Sequence, residues 1–211
     1  MESPQPTATP GKPPLRRKGE HTRRRIVDAA AELFHARGVD GTGLDAILRR
    51  AGAGKSQFYQ HFRNKDALVE AVLGDFEARL EASMTPLRGE IATLADLERW
   101  LLGFIEELEA LHCRRGCPAG TIVAGLHESE DGYREAVKTC FAGIESALTP
   151  VIADLQARGE IAATAPPASL AAFVIALQQG AATLTKAQGE AAPAREAIRQ
   201  AVALLRGGAP P

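Results

Sequence analysis

From about residue 21 onward, apolar positions recur at intervals of three and four, the period of an amphipathic helix. Ile26, Ala29, Ala30, Leu33 and Phe34 form a first stripe, which predicts a helix from about His21 to Arg37. Gly38 stops it, at the position after a helix where left-handed backbone is needed. Leu44, Ile47 and Leu48 predict a short second helix. Thr42 is placed to cap it, with Asp45 three residues on completing a pair like a capping box. Ala51-Gly52-Ala53 reads as a tight turn of small residues. A third short helix follows from about Gly54 to His61, with Gly54 as its cap. Phe58 and Phe62, four apart, point inward, and Lys55, Gln57, Tyr59, Gln60 and His61 face outward or sideways.

The rest of the chain continues in longer helical stripes. Asn64 caps a fourth helix that carries Ala67, Leu68, Ala71, Val72, Phe76 and Leu80 and ends before Pro86. Thr93 to His112 form another, with Leu97, Trp100, Leu101, Phe104, Leu108 and Leu111 in period. The segment CRRGCPAG, 113 to 120, breaks the pattern. Pro118 suits the first position of a new helix running to about His127. Residues 133–158 and 168–188 predict two long helices, the first interrupted by Pro150, which should kink it, and closed by Gly159. A last helix covers Ala194 to Leu205.

Composition agrees with this all-helical reading. Apolar residues make up 45% of the 211, enough for a core, and Ala and Leu dominate over β-branched and aromatic types. No uninterrupted run of about 18 apolar residues marks a membrane span, and the N-terminus has no apolar segment of the secretory type. Residues 1–18 hold five prolines and read as a disordered tail that ends in the basic run Arg16-Arg17-Lys18. Charge changes the picture more. Met1 to Asp66 carry a net +6 and the remainder a net −7, for −1 overall. A basic head on an acidic body suits a protein whose head attracts phosphates. Cys113, Cys117 and Cys140 are few and odd in number, which fits a reducing cytoplasm. The Cys113–Cys117 spacing is not that of a zinc ribbon, and no metal or cofactor is expected.

Gly54-Lys55-Ser56 matches the end of a phosphate-loop motif, but Arg49 stands where its first glycine is required and a helix precedes it. No paired carboxylates or nucleophile motif points to an enzyme. The stretch AGAGKSQFYQHFRNKDAL, Ala51 to Leu68, instead resembles the tetracycline-repressor family of bacterial transcription regulators, whose pattern here looks like A-G-V-S-K-G-T-F-Y-H-Y-F-x-S-K-E-A-L. Ala51, Gly52, Lys55, Phe58, Tyr59, Phe62, Lys65, Ala67 and Leu68 match it. Gly54 replaces a serine cap, Gln57 a common threonine, and Gln60-His61 a common His-Tyr pair.

The resemblance implies a helix-turn-helix head over residues 19–66 and an effector-binding, dimerising helical body over 67–208. It implies a cytoplasmic homodimer, paired through helices 133–158 and 168–188, that binds a double-stranded DNA operator and is released by a small molecule. The DNA-contacting set is then Thr42, Lys55, Ser56, Gln57, Tyr59, Gln60, His61 and Lys65. Thr42, Tyr59, His61 and Lys65 would hold phosphates, and Lys55 and Gln57 would reach base edges. Candidate pocket residues are Trp100, Phe104, Cys117, Ile122, His127, Phe141, Phe173 and Leu177. An alternative on the same frame makes Cys117, beside Arg114 and Arg115, a thiol sensor of oxidants or electrophiles.

Overall fold

The computed structural model describes residues 15–84, 86–125 and 131–207. Among these residues the chain is all-α: α1 Leu15–Arg37, α2 Leu44–Ala51, α3 Lys55–Tyr59, α4 Lys65–Met84, α5 Leu87–Glu90, α6 Leu94–Ala110, α7 Pro118–Ala124, α8 Asp131–Ala157, α9 Pro167–Gln188 and α10 Ala192–Leu205.

Most boundaries follow from local chemistry. Gly38 takes φ 74° after α1, and Gly159 takes φ 76° after α8, a region that L side chains rarely enter. The Asn64 side-chain oxygen accepts the Ala67 N–H at 3.0 Å and opens α4. At α6, Thr93 Oγ1 accepts from the Asp96 N–H at 3.2 Å while the Asp96 carboxylate accepts from the Thr93 N–H at 2.9 Å, a reciprocal capping box.

Two expectations change. First, α1 begins at Leu15, so the last four residues of the expected tail are helical. Arg and Lys have high helix propensity, and a helix started by the Ile26 stripe extends back through them. Second, the short α5 was hidden by its position just after Pro86; its Leu87 is buried. α8 holds Pro150 inside its span, as the stripe predicts. The expected extension of α7 to His127 lies outside the described residues, and the structure places Gly125 as its cap.

Two hydrophobic clusters hold the molecule. The head cluster joins Ile26 and Phe34 of α1, Ile47 of α2 and Phe58 of α3 to Leu68 and Val69 of α4. It also takes in Ile122 of α7 and Tyr133 and Val137 of α8. The body cluster joins Leu101 and Ile105 of α6, Leu148 and Ile152 of α8, Val174 of α9 and Ile198 of α10. Burying each such side chain contributes about 1.5–3 kcal/mol. Because α7 and α8 enter both clusters and α4 packs along α8, the head is seated on the body through shared helices.

The most apolar 18-residue stretches of α8 and α9 have mean hydropathies of 1.2 and 1.3, and only about a third of each stretch is buried. They pack on each other, which leaves an outer apolar surface.

Asp96 has its pKa lowered to about 2, chiefly by the Thr93 hydroxyl that donates to it and then by Arg99. Its ordinary value is 3.8. The ionised form therefore adds stability that is complete above about pH 4 and disappears as pH falls toward 2. In urea titrations from pH 6 to pH 2, the stability gap between the parent protein and Asp96→Ala is expected to hold steady above about pH 5 and to shrink toward pH 2.

Candidate nucleic-acid interface and body cavity

The second and third helices meet at Gly52, which takes φ 59°, ψ 40° and donates its N–H to the Arg49 and Leu48 carbonyls. Any other residue would be strained there. Phe58 is fully buried and Phe62 nearly so, with ring centroids 5.5 Å apart, and they fix α3 on the head core. Arg25 reaches across from α1 and donates from Nη2 to the Gly52 carbonyl at 3.3 Å. In the sequence Arg25 belongs to the basic run Arg23-Arg24-Arg25, expected to meet DNA, and nothing local pairs positions 25 and 52. The Arg23 guanidinium lies 5.5 Å from the Phe62 ring centre, within the range of a cation–π contact.

What remains outside is a polar edge. Lys55, Ser56, Tyr59 and Gln60 are exposed, Tyr59 to 61%, and Gln57 and His61 are half-buried. Lys55 Nζ lies 3.1 Å from Asp45, an exposed pair that bridges α2 and α3 and is worth under about 1 kcal/mol, so phosphate competes with it readily. Gln57 accepts the Gly54 N–H at 2.9 Å through its side-chain oxygen. Gly54 has no side chain to return the bond, so only this half of a capping box exists. Arg49 and Arg63 are exposed, and among the described residues neither forms an ion pair.

Two expected contacts are corrected. Thr42 is fully buried, and its hydroxyl donates to the Gly38 carbonyl at 2.7 Å and lies 3.3 Å from that of Leu33. The cap of α2 is Gly43, with no side-chain bond. Thr42 therefore ties the loop to α1 and has no hydroxyl to offer a phosphate. Lys65 is half-buried and its Nζ donates to the Val39 carbonyl at 2.6 Å. It locks α4 onto the α1–α2 loop, so its reach toward a phosphate is limited by that bond.

In the body, a hollow of about 460 Å³ opens between α4, α6, α8 and α9. Trp100, Phe104 and Cys117 of the expected pocket line it together, with Phe76, Ile144 and Gln178. The other expected residues are elsewhere. Ile122 lines a separate hollow of about 570 Å³ between α1, α4 and α7. Phe141 packs against both clusters, and Leu177 packs against the body core. Phe173 is 39% exposed on the outer face of α9. Stripe periodicity places such residues on a helix but does not say which neighbour each face meets. His127 lies outside the described residues. Phe76 and Pro118 line both hollows. At the junction, His35 donates from Nε2 to the Gly116 carbonyl at 2.5 Å. Burial, then the nearby Arg115 and Lys186 charges, lower its pKa against the opposing pull of that carbonyl.

All three cysteines are unpaired and buried. Burial pushes the Cys140 thiol up to about 11, away from the reactive thiolate. Cys117 is the N-cap of the seven-residue α7 and a wall of the body hollow.

A short helix presented on a buried support, with a polar outer edge and an all-helical, hollow body behind it, is the build of a helix-turn-helix DNA-binding protein. Residues 26–72 match the family model of the bacterial regulatory proteins of the tetR family. Residues 93–201 match the tetracyclin repressor-like C-terminal domain. The chain belongs to that family. It is 38% identical over 115 residues to the HTH-type transcriptional regulator SrpR of Pseudomonas putida, a match spanning 53% of this chain and 51% of that protein. It is 32% identical over 151 residues to the transcriptional regulator AcuR of Cereibacter sphaeroides, covering 69% and 68%. A crystal structure of regulatory protein TetR from Rhodobacter sphaeroides shares the fold, with a TM-score of 0.79 at 24% identity over 86% of this chain and 97% of that one.

Lys65→Met is expected to lower stability by about 1.5–3 kcal/mol in urea unfolding, since it removes a charged donor from a half-buried carbonyl. Lys55→Met is expected to change it by no more than about 0.5 kcal/mol. Equal effects from the two substitutions would contradict this assignment.

Proposed function

We propose that the chain is a homodimeric transcription repressor that binds a double-stranded DNA operator and leaves it when a small molecule enters the body. The observation that carries this reading is the polar edge of exposed Lys55, Ser56, Tyr59 and Gln60 and half-buried Gln57, on a helix whose other face is buried through Phe58. The N-terminal residues of such a helix meet base edges when it enters the major groove. Gln57 suits adenine and Lys55 suits guanine. Tyr59 and the unpaired Arg49 and Arg63 hold phosphates and set register, with His61 at the margin. Thr42 and Lys65 serve as supports behind this edge.

The second copy docks on the faces of α8 and α9 that the chain leaves open. Along α9, Ala172, Phe173, Ala176, Gly180, Thr183 and Leu184 are exposed, and Lys186 is the helix's only charge. A small, uncharged face of this length fits a helix of the same kind closely. Dimerisation also supplies the two half-sites, about 34 Å or a multiple apart, that one short helix needs for specificity. Coupling runs through the walls shared by the two hollows. An occupant of the body hollow presses on Phe76 and Pro118, which also face α1, and shifts the spacing of the two heads. A regulator with three unpaired thiols works in the cytoplasm.

Two measurements test this. In a binding-site selection, Gln57→Ala is expected to relax preference at one position by about 1–3 kcal/mol, whereas Tyr59→Phe weakens binding to all sequences alike. An unchanged preference with Gln57→Ala removes Gln57 as a base reader. In sedimentation, Phe173→Glu is expected to convert dimer to monomer and to abolish tight operator binding. A dimer that persists in this variant and in Ala176→Glu rules out the α9 face.

A further inference from the structure

Gln178 is nine-tenths buried on α9 and lines the body hollow. Among the described residues its carboxamide has no hydrogen-bond partner. Among the described residues the fully buried side-chain atoms without a partner are Arg25 Nε and Thr185 Oγ1, so the Gln178 amide keeps an opening onto the hollow, where a ligand can bond to it. The hollow is lined mainly by apolar side chains, Phe76, Trp100, Phe104 and Ile144 among them, with Ser83, Glu107 and Gln179 as its other polar groups, and a few polar groups in such a wall fix the orientation of a ligand.

The charges around the hollow narrow the ligand further. Among the described residues no Lys, Arg or His lines it, and Glu107 is the one carboxylate. An anion entering there loses its hydration and meets a like charge. A neutral molecule meets neither cost, and a cation gains Glu107 and the aromatic faces. The volume of about 460 Å³ lies in the lower part of the range for small-molecule sites.

We infer that Gln178 is the specificity-determining polar anchor of this cavity, and that the effector is a flat aromatic compound, neutral or cationic, that exchanges a hydrogen bond with its carboxamide. This rests on the reading of the body as the effector-binding part. It adds the ligand's chemistry and the residue that selects it.

A matched series on one ring system tests it by titration calorimetry on the full-length protein: 2-naphthol, naphthalene, 2-naphthylmethylammonium and 2-naphthoate. 2-Naphthol and the ammonium compound are expected to bind at least tenfold more tightly than 2-naphthoate. Gln178→Leu is expected to weaken 2-naphthol about tenfold and to leave naphthalene unchanged or tighter. Gln178→Met serves as the second variant if Leu does not fold. Gly103 lines the hollow, and a Cβ built on it meets no atom within 4 Å, so Gly103→Phe fills the space and should abolish binding of every probe.

The outcomes separate the two levels of the reading. If 2-naphthol binds Gln178→Leu as well as the parent while Gly103→Phe abolishes binding, the cavity stands and the anchor is overturned. If 2-naphthoate binds as tightly as 2-naphthol, the ligand class is wrong. If Gly103→Phe leaves binding intact, or no probe binds the parent protein, the cavity itself is lost as the effector site.

Discussion

Five residues of helix make barely more than one hydrogen-bonded turn, and nucleating a helix costs more than so short a segment returns. α3, Lys55 to Tyr59, is such a segment, and it carries the edge that faces outward. Its order therefore has to come from outside it. Phe58 and Phe62 supply most of it by burial in the head core. The remainder comes from polar ties at the ends: Gln57 to the Gly54 N–H, Arg25 to the Gly52 carbonyl, and Asn64 at the start of α4. Thr42 and Lys65 extend the same support one layer back, fixing the loop between α1 and α2. The density of side-chain-to-carbonyl bonds around α3 is what a rigid presentation of a very short helix demands.

That constraint explains which parts of the site were legible in the sequence. Helix starts and stops announce themselves through residue chemistry, so Gly38, Gly52, Asn64 and Pro118 could be read directly. The inward and outward faces of α3 followed from Phe58 and Phe62. The roles of Thr42 and Lys65 could not be read in this way. Both are polar residues near a helix start, where a cap or a phosphate contact is the local expectation. Each instead satisfies a carbonyl supplied by tertiary structure, at Gly38 and at Val39. The same limit applies in the body. Periodicity placed Phe173 and Trp100 on helices, but only the packing of α9 on α8 turned one outward, while α6 turned the other toward the hollow.

The uncovered face of α9 and the buried amide of Gln178 are opposite departures from ordinary burial, and they lie on one helix. On the outer side, apolar and small residues remain exposed where a monomer would carry charge. On the inner side, a polar residue sits where a core would carry Leu or Ile. A helix selected only for stability would show neither. In the proposed reading each is met by a partner: a second copy outside, a small molecule inside.

This places the two proposed binding events on either side of the same rigid element. A packed interior moves by shifts of whole helices, because its side chains have no free volume in which to relax. An occupant of the body hollow touches α9 through Gln178 and α4 through Phe76. α4 begins at Lys65, bonded to Val39, with Asp66 bonded to the Tyr133 hydroxyl of α8. A displacement of α4 thus cannot be absorbed at its head end without breaking buried or half-buried polar contacts. It is transmitted to the α1–α2 loop, and through that loop to the seat of α3. The device that makes a five-residue helix rigid enough to present is also what makes its position answer to the contents of the body.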